Sequence, residues 1–209
     1  MKKSIIIFGI ILGVLFGSIN VFALDKQDVS KSTVYLWGQT YDDQYLSCTG
    51  VVIKNSEAGS VILTANHCVE DTKKLLVEFH DAYTLARSDN YDLALVYTSN
   101  YLRYKTVAKI SETSMKLNQQ IFMLGILTTQ DRWEKGRAVQ YLPIFNLYAL
   151  ILEVQGGCSG GGIWNTNGEL AGILVAALEI ADKDTAISFA EPVDHILKFF
   201  DTFKYWMNY

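Results

Sequence analysis

Residues Gln155–Trp164 read QGGCSGGGIW, five glycines around one cysteine and one serine. Glycine serves any tight turn or close backbone approach, so the cluster alone needs no chemical meaning. It also suits a loop that presents a nucleophile, and then either Cys158 or Ser159 is there to react. Which one depends on whether a base and an orienting acid stand elsewhere in the chain.

On both sides of this loop, short β-branched and aromatic runs broken by turn residues fill most of the chain. They cover 33–38, 49–54, 60–65, 75–80, 92–98, 120–124, 147–155 and 170–178, the texture of an all-β barrel or sandwich. Asn165-Thr166-Asn167-Gly168 lies between two apolar runs, and Asn-Gly is a strong hairpin signal. Residues 99–118 are poorer in strand pattern and more charged, which places a connection between two β units there. A final helix is predicted over about 192–206: Pro192 suits its start, and Val193, Ile196, Leu197, Phe200 and Phe203 follow at spacings of three and four. No internal repeat is evident.

At 209 residues the chain holds one sizeable domain or two small ones. Lys2 and Lys3 precede an apolar run from Ser4 to Phe16, and Val21-Phe22-Ala23 is close to a small-x-small cleavage site. Residues 1–23 therefore read as a signal peptide, with an uncleaved membrane anchor as the alternative. The segment carries two lysines and no acid, so the mature chain has 16 basic and 22 acidic residues, a net charge of −6. Such a surface disfavours nucleic acid. No basic amphipathic stretch argues for lipid, so no membrane contact is expected after cleavage. Export to the periplasm or the medium would permit a disulfide, and Cys48, Cys68 and Cys158 make one pair and one leftover.

Cys48-Thr49-Gly50 opens one strand and Leu63-Thr64-Ala65-Asn66-His67-Cys68 closes the next. A bond between Cys48 and Cys68 would hold the turn that carries His67, and a general base has to be held in a fixed place. Downstream, Asp92 stands immediately ahead of the alternating run Leu93–Val96. A carboxylate desolvated on one side there can orient a histidine and favour its cation. Asp89 is its rival, but falls in the Ser88-Asp89-Asn90 turn signal. His80 and His195 have no matching partners and read as surface or packing residues. No spacing of His, Cys, Asp and Glu proposes a metal site, and no cofactor is called for.

The order His67, Asp92, Ser159 resembles the trypsin-like serine peptidases of the chymotrypsin fold. TANHC (64–68), DLALV (92–96), GCSGGG (157–162) and LAGILVA (170–176) carry the resemblance, and ISFAEPVDHI (187–196) is similar to the end of the catalytic domain in the Deg/HtrA branch. The resemblance implies two six-stranded antiparallel β-barrels, at about 30–98 and 119–191, followed by the C-terminal helix, in one peptidase domain spanning 24–209. It implies a serine endopeptidase acting on polypeptide through an acyl-enzyme. Ser159 would be the nucleophile, His67 the base and Asp92 the orienting acid, with the N–H groups of Gly157 and Ser159 as the oxyanion hole. The family's frame selects Ser159 over Cys158, since Ser159 directly precedes Gly160-Gly161. The strand around Val175, Ala176 and Ala177 would line the substrate cleft.

Departures from the pattern shape further expectations. Cys158 stands where the animal enzymes have an aspartate that pairs with a new amino terminus, so the oxyanion turn is expected to form without such a cut, from a mature start near Leu24. Val175 replaces a serine common near the triad acid, so Asp92 is expected to have fewer hydrogen bonds than usual. No peptide-sensing PDZ-sized segment is expected after the helix. Glu153, six residues before Ser159, either floors the specificity pocket, favouring Lys or Arg, or faces solvent in the alternating run 152–155. A peptidase fold that only binds its target is the second functional reading, and oligomeric state is left open.

Overall fold

Thr33–Thr40 (β1), Tyr45–Ser56 (β2) and Gly59–Thr64 (β3) form an antiparallel meander, preceded by a short helix, Lys26–Ser32 (α1). Thr72–Val77 (β4), His80–Arg87 (β5) and Ala94–Thr98 (β6) form a second meander, and pairing of β3 with β6 and of β1 with β4 closes six strands into a barrel. In this computed structural model, residues 26–127, 130–179 and 186–203 are described. The proposed signal peptide and the end of the predicted helix beyond 203 lie outside them.

Gln120–Leu127 (β7), Gln130–Leu142 (β8), Leu147–Ile151 (β9), Gly162–Trp164 (β10), Leu170–Glu179 (β11) and Ala186–Pro192 (β12) close a second barrel with the same connectivity. The fold is chymotrypsin-like, two closed six-stranded antiparallel barrels followed by a helix, Val193–Thr202 (α2). The Asn165–Gly168 hairpin joins β10 to β11, and the 99–118 segment carries no strand beyond one isolated bridge at Ile110.

Leu36, Val51, Ile62, Leu63 and Leu95 fill the first barrel, and Ile121, Met123, Leu150 and Ile163 the second; all are fully buried. Each such side chain contributes on the order of 2 kcal/mol. Trp164, Val175, Ile196 and Phe199 join the first barrel's cluster, so α2 and the second barrel pack against it. Among the described residues no helix is long and apolar enough to cross a membrane.

Several local expectations need correction. The strand read over 147–155 stops at Ile151, because Leu152–Gln155 leave the sheet to approach the glycine loop. β5 was not foreseen: its exposed and half-buried side chains give no clean alternation. β8 was missed because charged residues dominate DRWEKGR. In α2, Pro192 is the N-cap, Phe199 joins Val193 and Ile196 in the buried stripe, and Leu197 turns outward.

Candidate active site

The Asn66–Cys68 segment folds as a single 3-10 turn after β3, with Cys68 N–H donating to the Ala65 carbonyl at 3.2 Å. Arg87 fixes the turn from β5, donating through Nε to Asn66 Oδ1 at 2.6 Å and through Nη2 to Glu70 at 2.7 Å. Cys68 is bonded to Cys48 of β2, while Cys158 is free and buried. The half-exposed His67 ring thus sits on a turn tethered at both ends. The His67 ring and the two bonded sulfurs lie within 4.8 Å of one another. Oxidised sulfurs offer no thiolate, so this cluster is not a metal site.

Asp92 occupies the apex of a tight turn in which Leu93 N–H donates to the Tyr91 carbonyl at 2.8 Å. Ser88 Oγ organises the approach by accepting from the N–H groups of Asn90 and Tyr91. Asp89 is left exposed within that loop. One Asp92 oxygen accepts the His67 backbone N–H at 2.9 Å, and the other lies 2.6 Å from His67 Nδ1. The hydrogen bond to Asp92, aided by the Asp92 and Glu70 charges, outweighs burial and holds the His67 pKa above the ordinary imidazole value. Burial opposes the Asp92 charge, yet the ring and backbone hydrogen bonds from His67, the His67 charge and the Asn66 backbone together hold its carboxyl below the usual range. The hydrogen bonds on its carboxylate come from the His67 backbone and ring, and Val175, at the place of the family's serine, offers no hydroxyl to add to them.

The glycine loop docks onto β2 beside the disulfide. Thr49 N–H donates to the Ser159 carbonyl at 2.8 Å, and Thr49 Oγ1 donates to the Gly157 carbonyl at 2.8 Å while accepting Ile126 N–H at 3.1 Å. From the other side, Gly160 N–H donates to the Leu174 carbonyl at 2.8 Å. Gly157 and Gly160 adopt φ of 95° and 79°, in the left-handed region. A Cβ on Gly160 would stand 2.1 Å from Thr64 Oγ1 and 2.3 Å from the Thr49 carbonyl, so the loop lies flush against the strand end that leads into His67. Ser159 is half-buried; among the described residues its hydroxyl and N–H, and the N–H of Gly157, form no hydrogen bond. Cys158 faces backward, with Sγ 2.5 Å from where a Cβ on Gly125 would be, and burial pushes its thiol pKa up.

On β11, Val175 is buried at a register shift, and Ala176 and Ala177 are exposed. Beyond Leu174 the strand pairs with β12 on one side, and among the described residues its other edge has no strand partner. Glu153 is exposed and ion-paired to Arg132 at 3.0 Å.

His195, expected to lack a partner, is buried with Nδ1 2.5 Å from Glu191 Oε2. The other Glu191 oxygen accepts the Asp92 N–H at 2.8 Å. Neither residue was foreseen here; alternation in ISFAEP puts Glu191 in line with the half-buried Phe189, opposite the buried Ser188 and Ala190, and so does not mark it as a buried acid.

The family model of the trypsin-like peptidase domain matches residues 48–173, more than half of the chain. The chain belongs to that family. It is 26% identical over 161 residues to the periplasmic pH-dependent serine endoprotease DegQ of Escherichia coli K12, covering 69% of this chain and 34% of the relative. It thus spans about a third of that relative's length. Its fold is similar to that of the serine endoprotease from Yersinia pestis, with a TM-score of 0.67 and 21% identity, over 84% of this chain and 65% of that one. Rv3671c from M. tuberculosis H37Rv, in an inactive mutant form, gives a TM-score of 0.62 at 17% identity, over 78% of this chain and 83% of that one.

The disulfide closes a separation of 20 residues. Replacing Cys48 and Cys68 with alanine should lower unfolding free energy by about 3 kcal/mol, read in a denaturant titration. Peptide mapping without reductant should find Cys158 unpaired; a bridge from Cys158 to either partner would contradict the pairing.

Proposed function

We propose that the protein is an exported serine endopeptidase in which Ser159, His67 and Asp92 act in sequence on a polypeptide. The observation that carries this reading is the doubly hydrogen-bonded His67–Asp92 pair, with His67 on the turn after β3 and the Ser159 loop seated on Thr49 of the adjoining β2. Asp92 keeps the Nδ1 proton on His67, which leaves Nε2 as the base. Ser159 Oγ attacks the carbonyl carbon as its proton passes to Nε2. The resulting oxyanion is met by the Gly157 and Ser159 N–H groups. His67 then gives the proton to the amine as the C–N bond breaks, and water resolves the Ser159 ester by the same steps.

The open β11 edge at Val175–Leu178 suits an extended peptide added as a further strand. The exposed Ala176 and Ala177 leave room above it for apolar side chains. Glu153 is exposed to solvent and shares Arg132 with Glu134, so it does not floor a pocket, and a small or apolar residue is favoured over Lys or Arg at the primary site. Likeness to a periplasmic protease and the apolar run after Lys2-Lys3 support export.

The test is cleavage of a peptide library by the purified protein, together with labelling by a fluorophosphonate. Stoichiometric label on Ser159 and cleavage after small apolar residues are expected. A protein that binds peptides but neither cleaves them nor takes the label would instead be the binding module.

A further inference from the structure

Tyr91 and Asp92 are gripped from a distance in sequence of about a hundred residues. Glu191, on β12 opposite Ile173, accepts the Asp92 N–H at 2.8 Å across a separation of 99 residues. His195, in the first turn of α2, holds the second Glu191 oxygen at 2.5 Å. The His195 ring stacks on Tyr91, with centroids 4.0 Å apart and 20° between planes. Side-chain exposure is only 5% for Glu191 and 7% for His195.

We propose that Glu191 and His195 are positioning residues for the reaction. They clamp the Tyr91–Asp92 turn from the second barrel and the helix junction, and so set where the carboxylate meets His67. The proposal deepens the Ser159–His67–Asp92 reading and rests on it.

Three observations carry it. Both Glu191 oxygens are used, one on the residue whose side chain orients the candidate base. Its members also touch consecutive residues of a tight turn, which fixes both position and rotation of the Asp92 backbone. Finally, burying a carboxylate and an imidazole costs desolvation that an apolar pair of equal volume would avoid, so stability alone does not account for the pair. A displacement of about 1 Å at an orienting group can cost about 100-fold in rate.

Glu191→Leu keeps the volume and deletes the acceptor. Turnover should fall about 100-fold with KM nearly unchanged. The low-field proton resonance of His67 Nδ1, which reports the bond to Asp92, should shift or vanish. Glu191→Gln should rescue both readings: its carbonyl can accept the Asp92 N–H and its amide can donate to the lone pair of His195 Nδ1. His195→Phe, which preserves a ring for Tyr91 but not the Nδ1 contact, should lose about 10-fold. Full turnover in Glu191→Leu, or lost turnover with the His67 resonance unmoved, or a Gln variant as impaired as the Leu one, would overturn the proposal. Wild-type protein gives a reading that needs no variant: the Asp92 amide should be protected from hydrogen exchange, and exchange at the rate of an open loop would equally overturn the clamp. Failure of the peptidase reading is separable, because wild-type protein would then cleave nothing while the His67 resonance still answered to Glu191.

Discussion

Ser159→Ala should abolish turnover, by a factor on the order of a million, while Cys158→Ala keeps most of it. A hydroxyl needs a base beside it to attack a carbonyl, and the loop seats Ser159 against the strand end that leads to His67. The neighbouring thiol is fully buried against Gly125 with its pKa raised by burial, so it packs as a small apolar group. Residual activity in the Ser159 variant would come from substrate binding and the backbone donors alone. Rates with a peptide substrate, before and after a thiol alkylator, read the contrast. Inhibition by the alkylator, a dead Cys158→Ala enzyme and an active Ser159→Ala enzyme would reverse the assignment.

Asp92→Asn should cost about 10⁴-fold in turnover and also displace the pH profile. The amide can present N–H to His67 Nδ1, which drives the ring proton to Nε2 and removes the lone pair that Ser159 needs. The sign of the displacement follows from the pKa directions. His67 acts as a base only when neutral, so activity rises as pH climbs through its pKa. Asp92 raises that pKa, and the wild-type acid limb should therefore have its midpoint above 6.5, the ordinary imidazole value. Without the carboxylate the midpoint should move to lower pH. A profile of kcat/KM against pH for both enzymes measures this, and an unmoved midpoint would mean that the carboxylate does not set the base.

Much of this architecture was legible from residues alone, and the exceptions have physical causes. The Asn-Gly hairpin, the bare 99–118 connection and the pairing of Cys48 with Cys68 rest on local chemistry, and local chemistry survives into the fold. The continuously apolar, buried Leu93–Val96 run marked β6, and in the turn ahead of it Asp92 meets His67 while Asp89 is exposed. β5 and β8 escaped because side chains exposed on both faces, or a density of charges, remove the alternation on which strand recognition depends. Glu191 and His195 escaped for a different reason. An acid and a histidine four residues apart carry no sign of burial until the turn at Tyr91–Asp92, a hundred residues earlier, is laid across them.

The seating of the Ser159 loop on Thr49 has a consequence in time. His67, Asp92 and Thr49 belong to the half of the chain made first, and Ser159, Leu174 and Glu191 to the half made last. Contacts of such long sequence separation form late in folding, after their loops have closed. On the proposed reading, a chain made only through its first half holds the base and the seat at Thr49 without the nucleophile. Hydrolytic competence would appear only when both halves have folded together, which gives the cell that makes the protein a period of safety that requires no inhibitory segment.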